Sequence, residues 1–105
     1  MPYIWGGAHP TFFPDIIKEA GVDAIVRGEA EHILPHLIDN PSDTTIGSCS
    51  FKTQDGKIIV NPMGRLIHDL DALPYPDRGL YRKFYKDLPY SELTLVAGRG
   101  CPFNC

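Results

Sequence analysis

The sequence predicts an α/β fold, and three observations support this prediction. Short apolar runs rich in β-branched residues alternate with amphipathic helical segments over residues 3–40, which is typical of parallel α/β units. A pair of apolar runs around an Asp-Gly turn at Asp55 predicts a β-hairpin. A further apolar strand is expected at 93–97, directly before a loop that carries two cysteines.

The first strand and helix are expected at the N-terminal end of the chain. Residues 3–5 form a short apolar run that ends at the glycine pair Gly6 and Gly7. Pro14 suits the first turn of a helix, and Gly21 suits the left-handed residue that ends one. We therefore expect a short helix, of about two turns, before Gly21.

A second strand and helix follow. Residues 22–26 are mostly apolar and predict a buried strand. One apolar stripe then marks a helix, formed by Ile33, Leu34, Leu37 and Ile38. Two parallel strands alone leave an apolar edge unpaired, so further strands are expected before Met1.

The second half of the chain changes in character. Residues 48–51 and 58–60 are the two strands of the expected hairpin. Residues 61–90 combine prolines with leucines and aromatic residues, a mixture too apolar for a free linker and too proline-rich for one long helix. This segment is predicted to lie strapped across a surface.

Composition excludes several classes of protein. The 105 residues carry a formal net charge of −3, so nucleic acids and anionic membranes are not expected as partners. No run of 18 apolar residues and no signal peptide is present, which predicts a cytoplasmic protein. Three cysteines do not form a secreted disulfide framework and favour thiols or metal ligands.

Cys101 and Cys105 are the most informative residues of the chain. Their C-x-x-x-C spacing on a loop after a strand allows both thiolates to face one metal centre. Iron–sulfur clusters usually have three or four cysteine ligands and structural zinc sites have four ligands, so this pair is an incomplete site. The chain is thus either a piece of a larger enzyme, cut inside its cofactor loop, or a small complete protein.

Three separated signatures occur in a fixed order along the chain. They read Gly-Gly-Ala-His-Pro-Thr at 6–11, Val-Arg-Gly-Glu-Ala-Glu at 26–31 and Arg-Gly-Cys-Pro-Phe-Asn-Cys at 99–105. Together they resemble the radical S-adenosylmethionine (SAM) enzymes that carry an N-terminal cobalamin-binding domain, including the anaerobic magnesium-protoporphyrin IX monomethyl ester oxidative cyclase group. The resemblance covers nearly the whole chain.

This resemblance implies a division into four segments. Residues 1–45 would be the C-terminal part of a Rossmann-like β-α-β-α unit of the cobalamin-binding type, and 46–62 the β-hairpin. Residues 63–92 would be an extended, Pro-rich interdomain connector. Residues 93–105 would be the first strand of a radical SAM barrel with its truncated cluster loop.

The resemblance also implies cofactors. Cys101 and Cys105 would be two of the three cysteine ligands of a 4Fe–4S cluster, and the third would lie beyond the last residue. The iron without a cysteine would chelate SAM, whose reductive cleavage gives a 5′-deoxyadenosyl radical. Gly98 and Gly100 would allow tight turns around the cluster.

Cobalamin is the other implied cofactor. Its side of the domain would be formed by residues at the carboxyl ends of the first two strands, where open α/β sheets bind ligands: Gly6, Gly7, His9, Arg27, Gly28 and Glu29. The D-x-H-x-x-G segment that supplies the lower cobalt ligand in many cobalamin domains is absent from the sequence, and His9 is not its replacement. Ala30 stands where related sequences often have glycine.

Simpler structural roles compete with these assignments. His9 could bond locally, Arg27 could form a structural ion pair, and Glu29 could favour the N-terminus of the following helix. Cys49 alternates with serines in a strand and is expected to pack in the core.

Two functions remain open at this point. The first is a fragment of a cobalamin-dependent-type radical SAM enzyme, such as a cyclase-like oxidoreductase, with the rest of the parent polypeptide as its partner. This fragment is expected to be inactive as cut, so no catalytic residue and no bound cofactor is assigned to it. The alternative is a non-catalytic α/β binding module, or a protein whose thiolate pair binds zinc with a partner. The substrate is not predicted.

Overall fold

A computed structural model of the chain describes residues 2–82, 96, 98–101 and 103, which fall into two compact units, Met1–His68 and Asp69–Cys105. The elements of the first unit are β1 (Ile4–Trp5), α1 (Ala8–Phe12), a 3-10 helix (Pro14–Lys18), β2 (Ala24–Val26), α2 (Ile33–Asp39), β3 (Cys49–Lys52) and β4 (Ile58–Val60). The second unit contains α3 (Gly79–Arg82).

The four strands form one mixed sheet in the order β1-β2-β3-β4. β1 and β2 are parallel, with Ile4 opposite Ala24, while β2 and β3 are antiparallel, with Ile25 opposite Ser50. β3 and β4 form the expected antiparallel hairpin. The predicted α/β class is therefore confirmed, whereas the Rossmann-like assignment stays a prediction. The hairpin extends the parallel pair into a larger sheet, an association that the sequence analysis did not anticipate.

The segment between β1 and β2 differs from the expected single helix. It contains α1, which was not predicted, followed by the 3-10 helix where an α-helix was expected. Pro14 separates the two because a residue before proline avoids the helical backbone region, and Phe13 has φ −126° and ψ 68°. Gly21 is left-handed as expected, with φ +81°.

Both faces of the sheet contribute to the core of the first unit. On one face, Ala24 and Val26 pack with Leu37 of α2 and with residues of β3. On the other face, Ile25 packs with Ile17 of the 3-10 helix and with Val22. β2 is therefore buried on both sides, as the apolar run at 22–26 predicts.

The apolar stripe of α2 is only partly buried. Leu37 is 3% exposed, whereas Leu34 is 41% and Ile38 65% exposed. The helix is thus held to the sheet by a narrower contact than its sequence predicts.

The second unit is described in part. Asp69 Oδ1 accepts hydrogen bonds from the backbone N–H groups of Asp71 and Ala72, which stabilises a turn there. Asp77 Oδ1 accepts one from Gly79 N at 2.8 Å, at the start of α3. Most of the strand expected at 93–97 lies outside the described residues. Within the described ranges, no helix has the length and hydropathy needed to cross a membrane.

The loop after α2 predicts a pH dependence of stability. Asp43 accepts hydrogen bonds from the Thr45 hydroxyl at 2.6 Å and from Thr45 N at 2.9 Å, and it lies 3.1 Å from His36 Nε2. These contacts, the hydroxyl first, lower the pKa of Asp43 from 3.8 to about 2. Because the pKa is depressed in the folded state, this stabilisation is complete above pH 3.8 and is lost as the pH falls through about 2.

The free energy of unfolding, measured against pH in urea titrations, is therefore expected to fall less steeply over this range in the variant Asp43→Asn than in the wild type. An equal slope in both proteins would contradict this role of Asp43.

Candidate functional site

The first two signatures meet at one edge of the sheet. Because β1 and β2 are parallel neighbours, the loop that begins at Gly6 and the loop that begins at Arg27 leave the sheet from the same end. A Cβ atom placed on Gly6 would lie 3.9 Å from Val26 Cβ, the last residue of β2. We call this end of the sheet the carboxyl edge.

Thr11 joins the two loops through its hydroxyl group. The hydroxyl donates a hydrogen bond to the carbonyl oxygen of Gly7 at 2.7 Å and accepts one from Gly28 N at 2.8 Å. A single partly buried side chain thus links both signatures. Thr11 belongs to the first signature, but the sequence predicted no role for it. The feature that could have indicated the link is a hydroxyl side chain four residues after Gly7.

The glycines of the carboxyl edge have distinct surroundings. Gly7 and Gly28 have φ of +96° and +77°, a backbone region that favours glycine. A Cβ atom on Gly7 would meet nothing within 4 Å, so its backbone borders open space. A Cβ atom on Gly28 would lie 3.2 Å from Met63 Cε, so this backbone is closely approached by another segment.

His9 lies in an exposed row of aromatic rings. The His9 ring stacks on the Trp5 ring, with 5.5 Å between the ring centroids. The Phe13 ring is tilted against the His9 ring, with 5.3 Å between centroids. All three side chains are exposed to solvent. Local stacking therefore fixes the position of His9 next to the carboxyl edge.

Arg27 bonds to the chain itself. Its Nη2 donates a hydrogen bond to the carbonyl oxygen of Asn61, and its backbone N donates to Ser48 O at 2.9 Å. Arg27 Nε is buried without a hydrogen-bond partner in the part of the chain that the structure describes. Asn61 is itself held in place, because its side-chain amide donates to Thr44 O and Ile46 O at 2.8 Å.

Glu29 also contacts a distant segment. Its Oε2 accepts a hydrogen bond from Ile67 N at 2.5 Å. Arg27 and Glu29 were predicted as site residues from the second signature. Their neighbours, Asn61, Met63 and Ile67, were not predicted, because nothing in the local sequence marks a contact over more than thirty positions.

The cysteines occupy two kinds of environment. Cys49 is fully buried, and burial raises the pKa of its thiol, with an opposing effect from Arg27. Its expected packing role agrees with this burial. Cys101 is exposed and follows Gly100, which has φ +79°. Cys105 lies outside the described residues. Among the residues that are described, no three His, Cys, Asp or Glu side chains come together as a metal site.

Two grooves of the first unit lie away from these residues. One, of about 410 Å³, is bounded at the opposite end of the sheet by residues such as Asp23, Phe51 and Lys52. The other, of about 540 Å³, lies beside Tyr3, Trp5 and residues 19–22. No sequence-predicted site residue that the structure describes lines either groove.

Comparison with known proteins identifies relatives over nearly the whole chain. The chain is 32% identical over 114 residues to the anaerobic magnesium-protoporphyrin IX monomethyl ester cyclase of Rubrivivax gelatinosus, and 34% identical over 115 residues to that of Cereibacter sphaeroides. It is also 35% identical over 111 residues to an uncharacterised methyltransferase of Pyrococcus horikoshii. No protein-family profile and no solved structure matches the chain.

The alignments cover almost all of this chain but only a small part of each relative. Each covers 97% of this chain but only 20%, 18% and 24% of the three relatives, in the order given. The chain thus spans about a fifth to a quarter of the length of the curated relatives it matches. The resemblance to the anaerobic cyclase group is therefore confirmed, and the chain is homologous to one segment of these magnesium-protoporphyrin IX monomethyl ester cyclases.

Proposed function

We propose that this chain is a segment of a cytoplasmic cobalamin-dependent-type radical SAM enzyme, a cyclase-like oxidoreductase, and that it joins the cobalamin side of the enzyme to its catalytic barrel. The observation that carries the proposal is the direct contact between the first two signatures, made by Thr11 and Gly28 at the carboxyl edge. This edge is the place where open α/β sheets bind ligands. Homology to the cyclases supports the same proposal.

The cobalamin side would comprise the carboxyl edge with its six predicted residues, Gly6, Gly7, His9, Arg27, Gly28 and Glu29. The described residues fit such a ligand in one respect, because the backbone at Gly7 borders open space and a large ligand can approach it there.

The cluster side would use Cys101 and Cys105. Cys101 is exposed after a left-handed glycine, as a thiolate on a tight ligand loop requires. A bound 4Fe–4S cluster supplies the electron that cleaves SAM. Because the 105-residue sequence contains two cysteines of the three-cysteine motif, we propose that this segment by itself performs no radical chemistry.

Anaerobic reconstitution of the complete gene product with iron and sulfide tests this proposal. We expect the broad visible absorption of a 4Fe–4S cluster, and its loss in Cys101→Ala or Cys105→Ala, because each change removes a thiolate ligand. Cys49→Ala is the matched control and should keep the cluster, since Cys49 is buried in the core. A cluster that survives both ligand substitutions would refute the assignment. Bound zinc in place of iron would support the non-catalytic alternative.

The relative from Pyrococcus horikoshii favours methyl transfer as a second candidate reaction, because it is named a methyltransferase. The two reactions can be separated by the products of SAM. Formation of 5′-deoxyadenosine alone would indicate cyclase-like chemistry, whereas S-adenosylhomocysteine in addition would indicate methyl transfer.

A further inference from the structure

Residues 61–67 return from β4 to the ends of β2 and β3, where backbone contacts hold them. We call these residues segment 61–67. Ser48 N donates a hydrogen bond to Pro62 O at 2.8 Å, and Ser48 Oγ accepts one from Gly64 N at 2.7 Å. Ser48 is buried and directly precedes β3, so the segment is fixed to the sheet beside the carboxyl edge.

Two charged side chains of the loop after β2 hold the ends of the same segment. Arg27 donates to the carbonyl oxygen of Asn61, and Glu29 accepts from Ile67 N. Between these contacts, Met63 lies against Gly28. All three residues of the Arg27-Gly28-Glu29 loop therefore contact segment 61–67.

These contacts are of the strong kind. Hydrogen bonds with one ionised partner are shorter and stronger than bonds between neutral groups, and both Arg27 and Glu29 make such bonds to backbone groups. The segment exposes two apolar side chains, Met63 at 51% and Leu66 at 67%, together with the charged side chain of Arg65. Exposed apolar side chains beside the carboxyl edge suit the periphery of a large planar macrocycle.

We propose that Arg27 and Glu29 are positioning residues, whose side chains hold segment 61–67 as an apolar wall of the carboxyl edge. They shape the edge through the segment, while the backbone of Gly7 is left open to the ligand. The wall is inferred from contacts within the chain, whereas its role in binding cobalamin rests on the proposed function.

Hydrogen–deuterium exchange of the complete gene product tests the wall. In Glu29→Ala, exchange in peptides covering 61–68 should rise about tenfold or more, because a charge-assisted hydrogen bond is lost. Glu29→Gln keeps an acceptor oxygen without the charge, so exchange at 61–68 should rise less than in Glu29→Ala. Glu19→Ala removes an exposed carboxylate outside this loop and is the control, with no change expected at 61–68. Exchange in β3 reports whether each variant is folded.

A titration with hydroxocobalamin, monitored by its visible absorption spectrum, tests whether the wall contributes to cobalamin binding. Affinity for hydroxocobalamin should fall about tenfold in Glu29→Ala and recover in Glu29→Gln.

Unchanged exchange at 61–68 in Glu29→Ala, or exchange in Glu29→Gln as fast as in Glu29→Ala, would overturn the wall. Altered exchange with unchanged affinity would overturn its service to the ligand. A wild-type protein without cobalamin affinity would overturn the proposed cobalamin function itself. The exchange data would still test the wall independently of that result. If Glu29→Ala does not fold, Glu29→Gln decides, since rapid exchange at 61–68 in that variant contradicts the proposal.

Discussion

Replacement of Phe51 by alanine is expected to lower the free energy of unfolding by about 3–5 kcal/mol. Phe51 is 5% exposed and packs on the α2 face of the sheet with Ala24, Val26 and Leu37. Removal of its ring leaves a cavity that the short strands around it cannot fill. Since domains of this size are stable by about 5–15 kcal/mol, the change removes a large part of the stability. Urea unfolding followed by circular dichroism measures it.

Phe12→Ala is the matched control for this prediction. The Phe12 side chain is 76% exposed at the end of α1, so its removal should change stability by no more than about 0.5 kcal/mol. Equal losses in the two variants would show that the core is not centred on Phe51.

Thr11→Val is expected to destabilise the first unit by about 1–3 kcal/mol, because the isosteric change leaves the Gly28 N–H without its acceptor. It also removes the donor of the bond to Gly7 O. Thr11→Ser keeps the hydroxyl and should recover most of the loss. Urea unfolding measures both variants, and exchange at Gly28 locates the effect. A valine variant as stable as the wild type, with an unchanged Gly28 amide, would contradict the link between the two loops.

The elements that local sequence specifies were predictable. Apolar β-branched residues mark β2, and the turn with Gly56 at φ +80° joins β3 to β4 as the Asp-Gly pair predicts. The pairing of β2 with β3 was not predictable in the same way. It depends on contacts between distant residues, such as Ile25 with Ser50, which no local pattern specifies.

The candidate site shows the same limit. Gly7 and Gly28 were predicted from signatures, and their positive φ values explain why glycine suits these positions. The helix α1 was missed because its five residues include Pro10 and no regular apolar stripe. The partners of Arg27 and Glu29 lie 34 and 38 positions away, so only the folded chain reveals that both side chains bind one segment.

The burial of β2 on both faces has a consequence for how the protein tolerates change. A slip of the strand register by one residue would turn Ile25 toward α2 and Ala24 toward the 3-10 helix, exchanging a large side chain for a small one on each face. Such a slip would leave a void on one side and a clash on the other. The sizes of the buried side chains thus fix the register of β2, and this register fixes the point at which Arg27 and Gly28 leave the sheet. Substitutions at the surface can therefore change the exposed side of α2 and the exposed aromatic rings beside His9. The distance in space between the first two signatures would stay the same.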